Sequence, residues 1–187
     1  IMHEDLCKDE MHENLGIIEK NTDRLLVLVN QLLDFRKVES KAFTLNFQVK
    51  NVCSIVYNTY VQFIAAAKHR DIMITFDSLS DPLFALIDEE VITKVCSNLF
   101  NNAIKYSTSY VKIALSVDCD SQCFCITVRN DGTPIPVEMR QRIFEAFFRI
   151  NDGNQNVTQP GSGIGLTLAA SLVQLHNGKL YLDDKAE

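Results

Sequence analysis

The sequence predicts an α+β fold in which helices cover one face of a mixed sheet, with one long helix preceding this sandwich. Helical and strand patterns alternate from residue 42 onward, which is typical of architectures that combine helices with a sheet. Two alternating runs, 111–117 and 123–128, are separated by only a short polar segment, and such a connection predicts an antiparallel hairpin. The sheet is therefore not expected to be purely parallel.

The composition is that of a globular protein of one or two domains. The chain has 187 residues, of which 47% are hydrophobic, and a formal net charge of −6. No apolar run approaches the roughly 18 residues that a bilayer crossing requires, and the first residues lack the pattern of a signal peptide. The acidic balance and the lack of a basic run argue against nucleic-acid contacts by this chain.

The six cysteines predict free thiols in a reducing compartment, because none has the CxxC spacing of a metal or redox pair. Three of them, Cys119, Cys123 and Cys125, lie close enough in sequence to suggest a metal cluster. However, Cys123 and Cys125 alternate with Phe124 and Ile126 as strand residues do, so a strand is favoured over a metal site.

A long helix is predicted over 17–40, where the sequence contains neither Gly nor Pro. Apolar residues recur there at three- and four-residue steps, so they form a stripe along one side of the helix. Nothing earlier in the sequence is long enough to cover this stripe, and we expect another chain or a further helix to pack on it. We therefore divide the chain into a partial helical region, 1–41, and a globular domain, 42–187.

Within the globular domain the patterns predict further elements in order. The predicted strands are 43–49, 72–76, 83–87, the two hairpin strands and 179–182. The predicted helices are 52–68, 88–106, a short one near 139–144, and 164–176. Asp88 is the expected N-cap of its helix, and His69 and His176 are interpreted as structural residues at helix ends.

The predicted helix 88–106 carries the most informative polar residues. Asn98, Asn102, Lys105 and Tyr106 lie at steps of four, seven and eight residues, so they share one face of the helix. An amide oxygen suits Mg²⁺ that is already held by phosphate, an ammonium group neutralises phosphate, and a tyrosine ring can cover a base. The alternative is an ordinary solvated helix face.

Two glycine-containing segments extend this pattern. Asp131 and Gly132 follow a predicted strand, where a carboxylate can accept a hydrogen bond from an amine such as that of adenine; an everyday turn is the alternative. Gly161, Gly163 and Gly165 open a helix, whose free backbone amides can bind phosphate; a flexible hinge is the alternative. The spacing fits neither the dinucleotide fingerprint nor a P-loop.

Four segments, taken in order, resemble the motifs of bacterial sensor histidine kinases. The helix 98–107 is similar to their N box, the turn 131–132 to the first glycine box, 143–149 to the F box, and 161–166 to the second glycine box. The segment 32–40 resembles the end of the second dimerisation helix of hybrid two-component sensors. The resemblance implies a Bergerat-type ATP-binding sandwich, preceded by a dimerisation helix, with a mobile lid between the two glycine boxes.

The resemblance also implies ATP and Mg²⁺ as ligands. Asn102 would be the Mg²⁺ ligand and Asn98 its polar neighbour, while Lys105 would meet phosphate. Tyr106 would lie beside the adenine, and Asp131 would accept a hydrogen bond from the adenine amino group. Further nucleotide contacts are expected from Gly132, Ile135, Arg149, Gly161, Ser162, Gly163, Ile164, Gly165 and Leu166.

Some positions of the family are not matched. Its phosphate-accepting histidine lies in a His-Glu-x-x-Thr/Asn-Pro sequence, and His3 and His12 match only the first two letters. We therefore expect the acceptor histidine on a helix that this sequence lacks, and we assign no catalytic residue. Pro134 stands where a second glycine is usual, and a closing strand is expected beyond Leu182.

The implied function is transfer of the γ-phosphate of ATP to that missing histidine, for relay to an aspartate of a response regulator. The expected partners are a second copy, through the helical region, and a response regulator receiver domain, on the cytoplasmic side of the inner membrane. An ATPase of the same fold and a non-catalytic nucleotide-binding or dimerisation module stay open. The ATPases place a glutamate base four residues before the Mg²⁺ asparagine, where this chain has Asn98.

Overall fold

A computed structural model describes residues 2–40, 42–118, 122–150 and 162–183. The chain divides into two compact units, Ile1–Phe43 and Thr44–Glu187. None of the described helices combines the length and the apolar character that a bilayer crossing requires.

The first unit consists of helix α1, Met2–Glu39. It begins well before the predicted start at residue 17, because Gly16 lies inside the helix and does not end it. One interior glycine costs a helix only about 1 kcal/mol relative to alanine, and its neighbours are good helix formers. The predicted apolar stripe is present on this helix as a set of exposed side chains: Leu15, Ile18, Leu25, Leu26, Val29, Leu32 and Leu33.

The described part of the second unit contains three α-helices and five strands. The helices are α2, Val52–Lys68; α3, Glu89–Tyr106; and α4, Gly165–Leu175. The strands are β1, Gln48–Asn51; β2, Met73–Asp77; β3, Phe84–Ile87; β4, Tyr110–Asp118; and β5, Cys123–Asn130. β1 pairs antiparallel with β3, while β2 runs parallel to β4 and β4 antiparallel to β5. The antiparallel hairpin and the mixed sheet are thus confirmed.

The core lies between the helices and the inner face of the larger sheet. Val111, Ile113 and Leu115 of β4 alternate with exposed or half-buried residues and are buried. They belong to one cluster with Val56 of α2 and Phe100 of α3, both fully buried. Each such side chain stabilises the fold by about 1.5–3 kcal/mol. Helices therefore cover one sheet face, as predicted.

Four cysteines of the second unit lie among the described residues. Cys53, Cys96, Cys123 and Cys125 are free thiols. Burial raises the pKa of the Cys96 thiol to about 12, so this side chain stays protonated and acts as a small apolar group. No group of three potential metal ligands occurs among the described residues.

The predicted strand 43–49 is wrong in its bounds, because only Gln48–Asn51 pairs with a neighbouring strand. The backbone N–H of Asn46 donates instead to the Asp88 carboxylate at 2.8 Å. The Phe47 ring packs edge-on against the His176 ring, with 5.2 Å between the ring centroids. Contacts with side chains distant in sequence therefore replace the first part of the predicted strand.

Two shorter predictions also differ from the structure. The helix expected near 139–144 is replaced by two single 3-10 turns, Val137–Met139 and Arg142–Phe144. Residues 179–182, predicted as a strand, form no ladder with any described strand. A strand requires a neighbour that supplies hydrogen-bond partners, so an alternating pattern alone does not produce one.

The Asp131 carboxylate ties the end of β5 to the start of β4. Its Oδ1 accepts hydrogen bonds from the backbone N–H groups of Thr108, Ser109 and Tyr110 at 2.9–3.1 Å, and from the Ser107 hydroxyl at 3.2 Å. Its Oδ2 accepts from the hydroxyl and the backbone N–H of Ser109 at 2.5 and 2.9 Å. These bonds, led by that from the Ser109 hydroxyl, hold the pKa of Asp131 well below its ordinary value of 3.8.

Replacing Asp131 with Asn should lower the free energy of unfolding, and the loss should depend on pH. A carboxyl whose pKa is depressed in the folded state stabilises the fold above its unfolded-state pKa, and this stabilisation is lost as pH falls through the folded-state pKa. The difference between wild type and Asp131→Asn, measured by urea unfolding, should be largest above about pH 5 and shrink below about pH 4.

The matched control is Asp77→Asn, because Asp77 forms an exposed ion pair with Lys112 (2.7 Å) on the same sheet. Exposed pairs stabilise a fold by about 0–1 kcal/mol, so this variant should unfold much like wild type. A loss in Asp131→Asn that stays constant across the pH range would contradict the role given to the charge.

Candidate functional site

The polar face of α3 lies against the first turn of α4. If Gly165, the first residue of α4, carried a Cβ, that atom would lie 3.2 Å from the Asn98 Oδ1 and 4.0 Å from the Asn102 Nδ2. The structure therefore brings together two predicted asparagines and one predicted glycine that are more than 60 residues apart in sequence. A side chain at position 165 would fill the space that these groups share.

The position of the two asparagines follows from how α3 packs. Asp88 caps this helix through a hydrogen bond from the Val91 N–H to its Oδ1 (3.2 Å), as predicted. The core face of α3 includes Phe100, and helical periodicity turns Asn98 and Asn102 to a half-buried side that faces α4.

The end of α3 carries the other two predicted residues of this helix. The Lys105 Nζ lies 4.8 Å from the centroid of the Tyr106 ring, and this ring is 51% exposed. The Lys105 carbonyl, one of those left unpaired at a helix end, accepts a hydrogen bond from Arg70 at 3.2 Å. α3 thus ends with a cation and an accessible ring side by side.

Gly132 lies against this helix end. A Cβ on Gly132 would clash with the Tyr106 carbonyl and would lie 2.9 Å from the Asn130 Nδ2. Only glycine lets the turn after β5 approach the backbone of α3 so closely. The structure therefore joins the predicted turn to the predicted helix, at the opposite end of the polar face from Gly165.

The F-box segment is joined to the second glycine segment. The Phe147 N–H donates to the Gly163 carbonyl at 3.0 Å, and both residues have left-handed backbone angles, with φ of +65° and +73°. A Cβ on Gly163 would lie 2.8 Å from the Phe147 backbone. Residues on the two sides of 151–161 are therefore fastened together by a contact that requires glycine.

The remaining predicted residues are placed less closely. Ser162 accepts a hydrogen bond from the Ile164 N–H at 3.3 Å, Ile164 is buried and Leu166 is half-buried. Arg149 is exposed, and the Ile135 carbonyl accepts a hydrogen bond from Arg140 at 3.2 Å. No described contact joins Arg149 or Ile135 to the asparagines and glycines of the site. Gly161 and the expected lid, 151–160, lie outside the described residues.

One residue that the sequence prediction did not include is Asn130. Along β5 the side chains of Phe124, Ile126 and Val128 face the core, and Asn130 continues the same alternation at the end of the strand. Asp131 accepts six hydrogen bonds from residues 107–110. The adenine contact predicted for Asp131 stays a prediction. Asn130, in contrast, places a polar group on the sheet face that the helices cover.

The geometry fits a phosphate group with a divalent cation. α4 begins after Ile164, whose side chain makes no cap hydrogen bond to the first N–H groups of the helix. The buried Thr167 hydroxyl in the same turn has no hydrogen-bond partner among the described residues. Opposite stand the amide groups of Asn98 and Asn102, and the missing Cβ of Gly165 keeps the intervening space open.

Comparison with known proteins gives relatives over nearly the whole chain. Histidine kinase P4 of Formosa agariphila is 32% identical over 180 residues, covering 95% of this chain and 13% of that protein. Sensor histidine kinase WalK of Bacillus subtilis is 29% identical over 188 residues, covering 94% of this chain and 29% of that protein. The chain thus spans less than a third of the length of either relative.

Solved structures agree with the fold. Full-length ShkA in complex with AMPPNP has a TM-score of 0.68 at 27% identity, covering 81% of this chain and 31% of that chain. The Acinetobacter baumannii histidine kinase AdeS has a TM-score of 0.65 at 23% identity, covering 82% and 68%. The expected Bergerat-type α+β fold is confirmed.

A family model matches more than half of the chain. Residues 87–187 match the model described as histidine kinase-, DNA gyrase B-, and HSP90-like ATPase. This match includes α3, the turn at Gly132 and the start of α4, which are the elements that form the site. The chain therefore belongs to the histidine kinase-, DNA gyrase B- and HSP90-like ATPase family.

Proposed function

We propose that this domain binds Mg²⁺-ATP between α3 and α4 and transfers the γ-phosphate to a histidine on a separate helix. The observation that carries the proposal is the approach of Gly165 to Asn98 and Asn102. It places the first backbone amides of α4 opposite neutral oxygen ligands, which is an arrangement suited to phosphate and a divalent cation together.

The residues of the site would act mainly by positioning and by neutralising charge. Asn102 would hold the cation through its amide oxygen, with Asn98 beside it, while the first N–H groups of α4 would bind phosphate oxygens. Lys105 would add a positive charge near the end of α3. The cation, when bound, offsets negative charge on the phosphates. Phosphoryl transfer requires these contributions more than it requires a protein base.

The absence of a carboxylate at position 98 favours a kinase over an ATPase. A water molecule needs a base to take its proton, and the Asn98 amide cannot serve as one at neutral pH. Two relatives that match 94–95% of this chain are named histidine kinases, which supports the same choice. Hydrolysis to free phosphate, and nucleotide binding without transfer, are the competing functions.

At the other end of the site, we propose that Asn130 contacts the edge of the base. Its amide offers both a donor and an acceptor, and it lies beside Gly132, which itself contacts the Tyr106 carbonyl. Tyr106 would cover the ring face of the base, since its own ring is accessible. Asp131 would support this edge by holding residues 107–110 in place.

The helical region would bring the domain together with its partners. We propose that region 1–41 pairs with a second copy through the exposed apolar side chains of α1, since such a stripe is favourably buried in a helical bundle. The domain 42–187 would serve an acceptor histidine outside this sequence, for relay to a receiver domain. A cytoplasmic location, beneath a membrane anchor elsewhere in the whole protein, fits the use of ATP and the free thiols.

The test of the kinase function is phosphate transfer in trans. When the chain is mixed with Mg²⁺-ATP labelled at the γ-phosphate and with a separate histidine-bearing dimerisation domain, acid-labile label should appear on the partner domain. The chain alone should not become labelled. Release of free phosphate without labelled protein would support the ATPase, and binding without either product would support the non-catalytic module.

Asn102→Ala should raise the Kd for Mg²⁺-ATP at least about tenfold, because it removes the proposed cation ligand. Calorimetry would measure the affinity, and thermal unfolding would check the fold. Asn101→Ala is the matched control, since Asn101 is the neighbouring amide on the exposed side of α3. Equal affinity in the Asn102→Ala variant and wild type would refute the placement of the cation.

Asn130→Ala should reduce the preference for ATP over GTP, because the two bases differ in the donor and acceptor groups on their edges. Competition binding with the two nucleotides would measure the preference, and the melting temperature should change little. Asp131→Asn should lower the melting temperature more than it changes this preference. If Asp131→Asn changed the nucleotide preference and Asn130→Ala mainly lowered the melting temperature, the base contact would be assigned to Asp131.

A further inference from the structure

His176, at the end of α4, makes a directional contact with the start of α3. The backbone N–H of Asp88 donates a hydrogen bond to the His176 Nε2 at 3.1 Å. Because Nε2 accepts, it carries no proton, and the neutral ring must carry its proton on Nδ1. Nδ1 lies 3.3 Å from the Leu172 carbonyl and can donate to it. One imidazole thus links the last turn of α4 to the first residue before α3.

The surroundings of His176 are built from three segments of the chain. The Asp88 side chain is 7% exposed, and its Oδ2 accepts the Asn46 N–H at 2.8 Å while its Oδ1 accepts the Val91 N–H. The ring of Phe47 meets the His176 ring edge-on, at 66° between planes. Position, ring orientation and tautomer of His176 are therefore all determined by neighbours.

α3 and α4 run antiparallel, and contacts between them occur at the two ends of α4. His176 meets Asp88 at one end, and Gly165 meets Asn98 and Asn102 at the other. At 1.5 Å of rise per residue, α4 spans about 16 Å from Gly165 to His176, and α3 spans about 15–21 Å from Asp88 to Asn98 and Asn102. The similar spans mean that the contact at His176 and the contact at Gly165 belong to one register of α4 along α3.

The bond at His176 adds a directional constraint to this register. Leu168, Ala169 and Leu172 form the buried side of α4, and burial of apolar surface has no preferred direction of its own. A hydrogen bond has narrow limits of distance and angle, so a shift of α4 along α3 would break the bond to Asp88. The register therefore depends on His176 as well as on its apolar neighbours.

We propose that His176 is a positioning residue for nucleotide binding: it fixes the register of α4 and so holds the first turn of α4 opposite Asn98 and Asn102. This proposal rests on the nucleotide site proposed between the two helices. A residue that only stabilises the fold would change the melting temperature but would leave the affinity of the folded protein for Mg²⁺-ATP unchanged.

The test compares two substitutions in the whole 187-residue chain. His176→Phe keeps a ring against Phe47 but has no acceptor for the Asp88 N–H, whereas His176→Gln returns an acceptor. Calorimetry would give the Kd for ATP with Mg²⁺ and with a chelator. His176→Phe should raise the Kd for Mg²⁺-ATP about tenfold and reduce the gain in affinity that Mg²⁺ brings. His176→Gln should restore most of the affinity and most of the gain from Mg²⁺.

Val56→Ala is the matched control, because Val56 is fully buried in α2 and its truncation should destabilise the fold without altering the α3–α4 register. It should bind Mg²⁺-ATP like wild type even where its melting temperature falls as far as that of His176→Phe. Should His176→Phe not fold, His176→Asn takes its place, since its shorter side chain keeps a polar group but reaches less far.

Unchanged affinity in His176→Phe, or an equal loss in Val56→Ala, would overturn the positioning role while leaving the nucleotide site in place. Failure of the wild-type chain to bind Mg²⁺-ATP would overturn the proposed function, and the positioning role with it. The two results are distinguished by wild-type binding, which is measured first.

Discussion

The placement of α3 depends on the buried carboxylate of Asp88. One oxygen caps the helix at Val91 and the other takes the backbone N–H of Asn46, so the charge is satisfied although the residue is almost fully buried. A buried carboxylate without such partners would be strongly unfavourable, which makes this start of the helix hard to shift. Since α3 packs on α2, α4 and the sheet, its start also determines where Asn98 and Asn102 lie.

α3 forms one side of the candidate site, and the backbone of other elements approaches it closely at two points. Gly165 approaches its amide side chains, and Gly132 approaches the carbonyl of Tyr106. In both places a Cβ would occupy space that the neighbouring element needs, so the glycines serve close approach and not flexibility. The two points lie at opposite ends of one polar helix face, so the proposed nucleotide would have its phosphates at one point and its base at the other.

Local patterns predicted what depends on neighbours in sequence. The helices with strong periodicity and the hairpin are in place, and so is the shared face of the α3 asparagines, because all of these follow from fixed repeats. The predictions failed where contacts with residues distant in sequence determine the structure. Asn46 and Phe47 were expected in a strand, but they contact Asp88 and His176 instead. To find Asn130 as the proposed base contact, one must know which face each residue of β5 occupies, since a shift of one residue along the strand moves the side chain to the other face.

The character of the site's side chains limits the chemistry that it can assist. Asn98 and Asn102 are neutral amides and Lys105 is a cation, so this face of α3 can hold phosphate and a metal ion but offers no group that takes a proton from water. A neutral imidazole attacks phosphorus through a nitrogen lone pair and needs no such group before bond formation. A site without a base therefore suits an acceptor that is already a nucleophile, which is why a protein histidine is a better acceptor for it than water.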